Sequence, residues 1–130
     1  MTTHTTQIKV RYAETDRMGV VYYANYFIWF EVARTELLKA VGISYREIEE
    51  KRNIYLMVVE SRCRYLKPAT YDDNITVQTS VSEIKNTSLI FKYKVYKGPD
   101  LISEGDTVHV FTNTYGRPTK IPQDIKSLLK

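Results

Sequence analysis

Residues 24–34 read Ala24-Asn25-Tyr26-Phe27-Ile28-Trp29-Phe30-Glu31-Val32-Ala33-Arg34, and this stretch decides the fold. Tyr26, Phe30, Ala33, Leu37 and Val41 recur at helical spacing, which predicts one helix from about Ala24 to Ala40. Asn25 is placed to cap its start and Gly42 to stop it. The first two turns are apolar on nearly every side. A helix of that kind is surrounded by other structure rather than laid on a surface.

Working outward, the chain before this helix alternates Thr6, Ile8, Val10 and Tyr12 with Gln7, Lys9 and Arg11, a half-buried strand. A loop, Glu14 to Gly19, joins the two, and Gly19 is free to take a positive φ. After the helix, Ser44-Tyr45-Arg46-Glu47 is a capping-box pattern that opens a short helix to about Arg52. The period then changes to two. Tyr55, Met57, Val59, Cys63 and Tyr65 share one face of a strand, opposite Glu60, Arg62 and Arg64, and Pro68 closes it. Ile75 to Val81 and Leu89 to Val95 form a pair around the turn Asn86-Thr87-Ser88. Gly98-Pro99-Asp100 turns the chain into a last long strand, Leu101 to about Asn113. Pro122 starts a C-terminal helix with Ile125, Leu128 and Leu129 on one side. One strand, one apolar helix and four further strands make an α+β protein. The simplest solution is a single domain over residues 1–130, a five-stranded antiparallel sheet wrapped around one long central helix. The sheet's outer face is then solvated or covered by a second copy.

Composition narrows the chemistry. The chain has 130 residues, 19 Lys and Arg against 15 Asp and Glu, and a net charge of +4, too mild to argue for nucleic acid. One cysteine, Cys63, and an N-terminus without an apolar leader fit a reducing cytoplasm. No stretch is long enough to predict a membrane span. Two histidines, His4 and His109, leave no zinc spacing, and the glycine-rich nucleotide and nucleophile-elbow motifs are missing. No metal or cofactor is expected. The oddity is tyrosine, with 11 copies against one Trp and four Phe.

Asp16 is the strongest candidate for chemistry. Apolar neighbours, Val20-Val21-Tyr22-Tyr23, would desolvate its carboxylate, raising its pKa and its reactivity as base or nucleophile. A few residues on, the helix N-terminus offers unpaired N–H groups. A carboxylate beside such donors suits acyl transfer, in which N–H groups hold a developing oxyanion. On the residues alone, the reading of Asp16 as an ordinary turn residue is the stronger of the two.

The block from Tyr12 to Tyr26, Tyr-Ala-Glu-Thr-Asp-Arg-Met-Gly-Val-Val-Tyr-Tyr-Ala-Asn-Tyr, resembles the signature of hot-dog-fold acyl-CoA thioesterases. Nearest in type are the 4-hydroxybenzoyl-CoA thioesterase and the acyl-CoA thioesterase associated with the bacterial Tol–Pal system. The resemblance continues through Glu31 to Leu38, Tyr65-Leu66-Lys67-Pro68-Ala69, Asp72-Asp73 and Thr87 to Phe91. It implies hydrolysis of an acyl-CoA, short-chain aliphatic or aromatic, to CoA and a free carboxylic acid. Asp16 would act as nucleophile or general base, and the Tyr23 backbone N–H would polarise the thioester carbonyl. Tol–Pal-associated relatives commonly carry His where this chain has Tyr23, so neither branch's acyl preference transfers.

The resemblance also implies that Gly19, Val20 and Asn25 border the substrate. Lys85, Ser88, Arg117 and Lys120 become candidates for the CoA phosphates, a role suited to cationic donors. It further implies a cytoplasmic homodimer or homotetramer with sites at the protomer interface, acting on acyl-CoA and conceivably on acyl carrier protein. Glu31 and Arg34, three apart on the helix, are placed to pair. His109 reads as a structural histidine with its hydrogen bonds satisfied, and Cys63 as a small core hydrophobe. Two rival functions share the fold. A hydroxyacyl dehydratase needs a catalytic His, and none lies between Ala13 and Ala33. A non-catalytic acyl-thioester or carrier-protein binding module would keep the pocket without depending on Asp16.

Overall fold

A computed structural model describes residues 2–130. In chain order the elements are β1 (Thr3–Lys9), α1 (Asn25–Ala40), α2 (Tyr45–Arg52), β2 (Tyr55–Tyr65), β3 (Asn74–Ile84), β4 (Ser88–Lys97), β5 (Asp100–Thr112) and α3 (Gln123–Leu129). The strands form one antiparallel sheet in the order β1-β3-β4-β5-β2. The five-stranded sheet around one long helix is therefore present, as the hydrophobic pattern predicts. Consecutive strands β1 and β2 occupy opposite edges, and α1 crosses the concave face between them.

Trp29, Phe30, Ala33 and Leu37 of α1 meet Ile75, Val77, Leu89, Phe91, Tyr93 and Val95 of the sheet, all fully buried. Truncating a side chain such as Leu37 in this layer costs roughly 2–5 kcal/mol. The tightest approach is at Gly105. The Phe30 ring stacks on Tyr93 at 4.2 Å, and a Cβ at Gly105 would sit 2.7 Å from Phe30 Cε2 and closer still to the Arg62 carbonyl oxygen. Glycine is required there by space, not by backbone angle.

Some sequence expectations need correction. Strand β1 ends at Lys9, and Tyr12–Glu14 forms a 3-10 turn, so Tyr12 is an exposed turn residue that meets Tyr71 edge to face. The alternation read across β2 is also wrong in its first half. The β2–β5 register slips between Val58 and Glu60, leaving Val59 as the extra residue of a bulge. Leu56 and Val58, opposite Phe111 and His109, therefore share the inner face with Cys63 and Tyr65, while Tyr55 and Met57 turn outward. Nor is α1 wholly surrounded within one chain. Ile28 and Val32 are exposed, beside exposed Met57, Val58 and Val59 on the β2 edge. That bare strip is contiguous with a sheet edge whose outer backbone groups lack a strand partner.

The caps follow local chemistry. Ser44 Oγ accepts the Glu47 N–H at 3.3 Å, as its pattern predicts, and Asn53 closes α2 with a positive φ of 53°. Arg52 makes two hydrogen bonds to Asp124, at 2.9 and 3.1 Å, which ties α2 to α3. Among the described residues no helix is long and apolar enough to cross a membrane.

Candidate active site

The segment between β1 and α1 is held by its own backbone. Asp16 N–H donates to the Val20 carbonyl at 2.8 Å, and Gly19 N–H returns to the Asp16 carbonyl at 3.0 Å with φ of 81°. The Met18 N–H donates to Asp16 Oδ1 at 2.9 Å, an Asx turn that leaves Oδ2 without a protein partner among the described residues. Val21 N–H then docks on the Ala69 carbonyl at 2.8 Å, beside the Val20–Thr70 bridge.

A second carboxylate, two residues before Asp16, braces this loop. Glu14 is only 3% exposed. Its Oε1 accepts the Arg11 N–H at 2.8 Å, and its Oε2 accepts the Trp29 indole N–H at 2.8 Å. Its main-chain carbonyl accepts both Tyr22 N–H at 2.8 Å and Asn25 Nδ2 at 2.9 Å. A buried charge is tolerated here because every oxygen has a donor, with the Arg11 guanidinium 3.7 Å away. Asn25 is therefore not the helix cap. Ala24 holds that position without a side-chain bond, and the Asn25 amide fastens the helix to the loop. The loop's own backbone supplies the competing acceptor.

The helix lead-in is wound tightly. Asn25, Tyr26 and Phe27 N–H groups donate to the carbonyls three residues back, at 3.0, 3.3 and 3.2 Å. The N–H groups of Tyr23 and Ala24 consequently find no partner among the described residues, the orphan donors expected at a helix start. The Tyr65 hydroxyl donates to the Tyr23 carbonyl oxygen at 2.9 Å.

Asp16, Val20, Tyr23, Tyr26, Tyr65 and Pro68 line an open cavity of about 350 Å³, together with Met18, Val21, Leu66 and Lys67. Gly19 shapes the turn rather than the wall. Asp16 is only half-buried, so the apolar enclosure expected around it is incomplete in a single chain. Three tyrosine rings meet edge to face, Tyr65 lying 4.9 Å from Tyr26 and 6.4 Å from Tyr23. Burial raises the Tyr26 phenol above its usual value, and burial with the neighbouring Cys63 raises that of Tyr65. Both remain protonated donors at neutral pH.

The structure does not bring Lys85, Ser88, Arg117 and Lys120 to Asp16 within one chain. It gathers them at the opposite end of the sheet. Lys85 N–H donates to the Ser88 carbonyl at 2.8 Å, Ile121 N–H to the Asn86 carbonyl at 3.0 Å, and Asn113 N–H to the Arg117 carbonyl at 2.9 Å. Strand β3 separates this cluster from the Asp16 loop, and its 11 residues span about 35 Å.

Three further expectations change. Glu31 and Arg34 form no ion pair; Arg34 turns to the phenols of Tyr93 and Tyr45, while both residues line a groove beside Phe27, Ile28 and Val58. His109 is structural but only half satisfied. Its Nε2 lies 2.7 Å from Thr107 Oγ1, its buried Nδ1 has no partner, and burial, helped by Arg34, pushes its pKa down to about 3. Cys63 is half-buried on the inner face, its Sγ 3.2 Å from Ser103 Oγ. Sequence reasoning missed Glu14 and Tyr65. The available signal for Glu14 was Trp29, whose indole N–H needs an acceptor when buried.

Among the described residues no group of three His, Cys, Asp or Glu side chains is arranged to hold a metal ion. Asp16, with one carboxylate oxygen unpartnered, and Tyr23, whose N–H has no partner among the described residues, line the same cavity; a carboxylate and an N–H donor can together act on an electrophilic carbonyl.

Residues 10–129 match the thioesterase-like superfamily. A Bacillus subtilis (strain 168) protein provisionally named an acyl-CoA thioesterase is 40% identical over 90 residues, covering 69% of this chain and 64% of that protein. An acyl-CoA thioesterase of Haemophilus influenzae is 31% identical over 122 residues, covering 92% of this chain and 89% of its own length. The crystal structure of a DHNA-CoA thioesterase from Staphylococcus aureus superposes with a TM-score of 0.93 at 31% identity, covering 98% of this chain and 89% of that one. The central helix, the wrapped sheet and these likenesses agree: the chain belongs to the thioesterase-like superfamily and is a thioester hydrolase of the hot-dog fold.

Proposed function

We propose that this protein hydrolyses an acyl-CoA, with a short-chain aliphatic or aromatic acyl group, to CoA and the free carboxylic acid. The observation that carries the reading is the pairing of Asp16, one oxygen unpartnered, with a free Tyr23 N–H on the wall of the same cavity. A thioester needs little more, because its carbonyl is weakly resonance-stabilised and its thiolate leaves readily. Two routes balance. Asp16 Oδ2 attacks the carbonyl carbon, the C–S bond breaks to release CoA thiolate, and water then cleaves the acyl anhydride. Alternatively Asp16 takes a proton from water, whose oxygen forms the new C–O bond as the C–S bond breaks. In either route negative charge grows on the carbonyl oxygen, where an N–H donor is most effective.

The remaining parts require a second copy. One chain holds its candidate phosphate residues, Lys85, Ser88, Arg117 and Lys120, at the other end of β3 from its own Asp16. The exposed Val58 and Val59 edge, with Ile28 and Val32 beside it, suits a two-fold partner that continues the sheet. Such a dimer runs antiparallel at β2, so it carries the partner's basic end toward this chain's Asp16, and pairing of dimers would give the homotetramer. CoA is then the natural carrier, with acyl carrier protein as the alternative source of the same thioester. The single cysteine and this CoA chemistry fit a cytoplasmic enzyme.

The test is Asp16→Asn, assayed by thiol release on benzoyl-CoA, butyryl-CoA and an acyl carrier protein thioester. The amide keeps an oxygen for the Met18 N–H but is neither base nor nucleophile, so kcat should fall about 10²–10⁴-fold. Undiminished thiol release would refute the role of Asp16. Turnover of none of the three thioesters by the wild type would favour a binding module.

A further inference from the structure

The site's main chain is tied to the edge of the sheet at one point. Among the described residues, the Tyr65 hydroxyl makes the one hydrogen bond between β2 and residues 14–25, donating to the Tyr23 carbonyl oxygen at 2.9 Å. That oxygen's other donor is the Tyr26 N–H, at a longer 3.3 Å. Tyr65 reaches it because the Val59 bulge turns the second half of β2, placing Tyr65 inward opposite Ser103. Its ring is fixed independently of its hydroxyl by the edge-to-face contacts with Tyr26 and Tyr23.

Resting on the reading of Asp16 and Tyr23 above, we infer that Tyr65 is a positioning residue for thioester cleavage. By holding the Tyr23 carbonyl, its hydroxyl fixes the main chain that carries the Tyr23 N–H. The hydroxyl's one proton is committed to this bond, so the role requires no contact with substrate. Its raised phenol pKa keeps the proton in place across the working range. The bond also polarises the next peptide, because donation to a carbonyl strengthens the N–H on its far side, here that of Ala24. Donor aim matters most when charge has developed on the carbonyl oxygen. The effect of Tyr65 therefore falls on the chemical step and not on ground-state binding.

The experiment compares Tyr65→Phe with wild type on benzoyl-CoA and butyryl-CoA, using thiol detection at saturating substrate. Phenylalanine keeps both ring contacts and removes only the hydroxyl. Expected is a kcat about tenfold lower with KM within about twofold, since small misplacements of a reacting group are costly. Thermal denaturation should show the same folded fraction at assay temperature. A second readout adds Tyr65→Phe to the Asp16→Asn protein, where turnover is slowed enough to observe bound substrate. The infrared stretch of carbonyl-13C benzoyl-CoA should move to lower wavenumber on binding, and adding Tyr65→Phe should reverse part of that shift. An unchanged kcat, a loss matched by unfolded protein, or an unmoved carbonyl stretch would each overturn the inference. If Asp16→Asn stops turnover while Tyr65→Phe is fully active, this inference fails alone. If Asp16→Asn is fully active, the underlying reading fails with it.

Discussion

The two ends of the sheet are built by opposite rules. At the Asp16 end the loop is braced: Glu14 takes four hydrogen bonds through side chain and carbonyl, the side chains of Tyr65 and Asn25 make one each, and Asp16 Oδ2 has no partner among the described residues. At the other end, Arg117 and Lys120 are exposed, and Lys85 leans only on Glu83 at 3.7 Å. Chemistry on a carbonyl needs groups aimed within a fraction of an ångström, so freedom there is removed. A phosphate accepts charge from many directions, so mobile cations suffice. On the proposed function, the difference predicts that kcat depends on one end and KM on the other.

The largest effect on this contrast, after loss of Asp16 itself, comes from loosening the braced end. Glu14→Gln keeps size but turns an NH₂ toward either the Trp29 or the Arg11 N–H, leaving a buried donor unpaired. We expect a stability loss of about 1–3 kcal/mol, read by urea denaturation, and a kcat loss in the folded fraction. Wild-type kcat with full stability would mean that the loop does not need its anchor.

Next comes the basic end. The double variant Lys85→Ala with Arg117→Ala should raise KM for acyl-CoA about five- to tenfold, leave kcat alone, and flatten the increase of KM with salt. The same variant assayed on an acyl thioester of N-acetylcysteamine, which lacks the nucleotide, should match wild type. A fall in kcat instead would merge the two ends into one function.

The smallest effect lies between the ends, at His109. Its folded pKa of about 3 is below the unfolded value, so the unfolded chain binds the extra proton between those values. Its contribution to stability is intact above about pH 6.5 and is lost as pH falls toward 3. His109→Gln should therefore show a shallower fall of melting temperature between pH 6.5 and pH 4. Parallel curves for the two proteins would remove His109 from the acid response.

The apolar helix and the period-two strands were legible because each imposes a hydrophobic repeat over many residues. Asp16 and Tyr23 enter through the resemblance alone, and both line one cavity. What escaped depends on register and long-range partners. Nothing local in Val58-Val59-Glu60 announces the bulge, so Met57 was assigned to the wrong face. Glu14 has no signature of its own, because its acceptor role depends on Trp29, 15 residues away. Lys85 and Asp16 both enter through the resemblance, and a residue string carries no distance between them. Only the sheet register places them at opposite ends.

The bulge at Val59 has a meaning for how this gene can change. Side chains on a strand alternate with a period of two, and the bulge absorbs Val59 so that Leu56 and Val58 before it and Cys63 and Tyr65 after it all keep the inner face. Removing Val59 would set Glu60 directly after Val58, opposite Val108, and make the pairing regular without turning any residue beyond it. Removing one residue between Ser61 and Arg64 would instead turn Tyr65 outward or, if the bulge gave way, Glu60 inward. An in-frame loss of one codon should therefore be tolerated at the bulge and not beyond it.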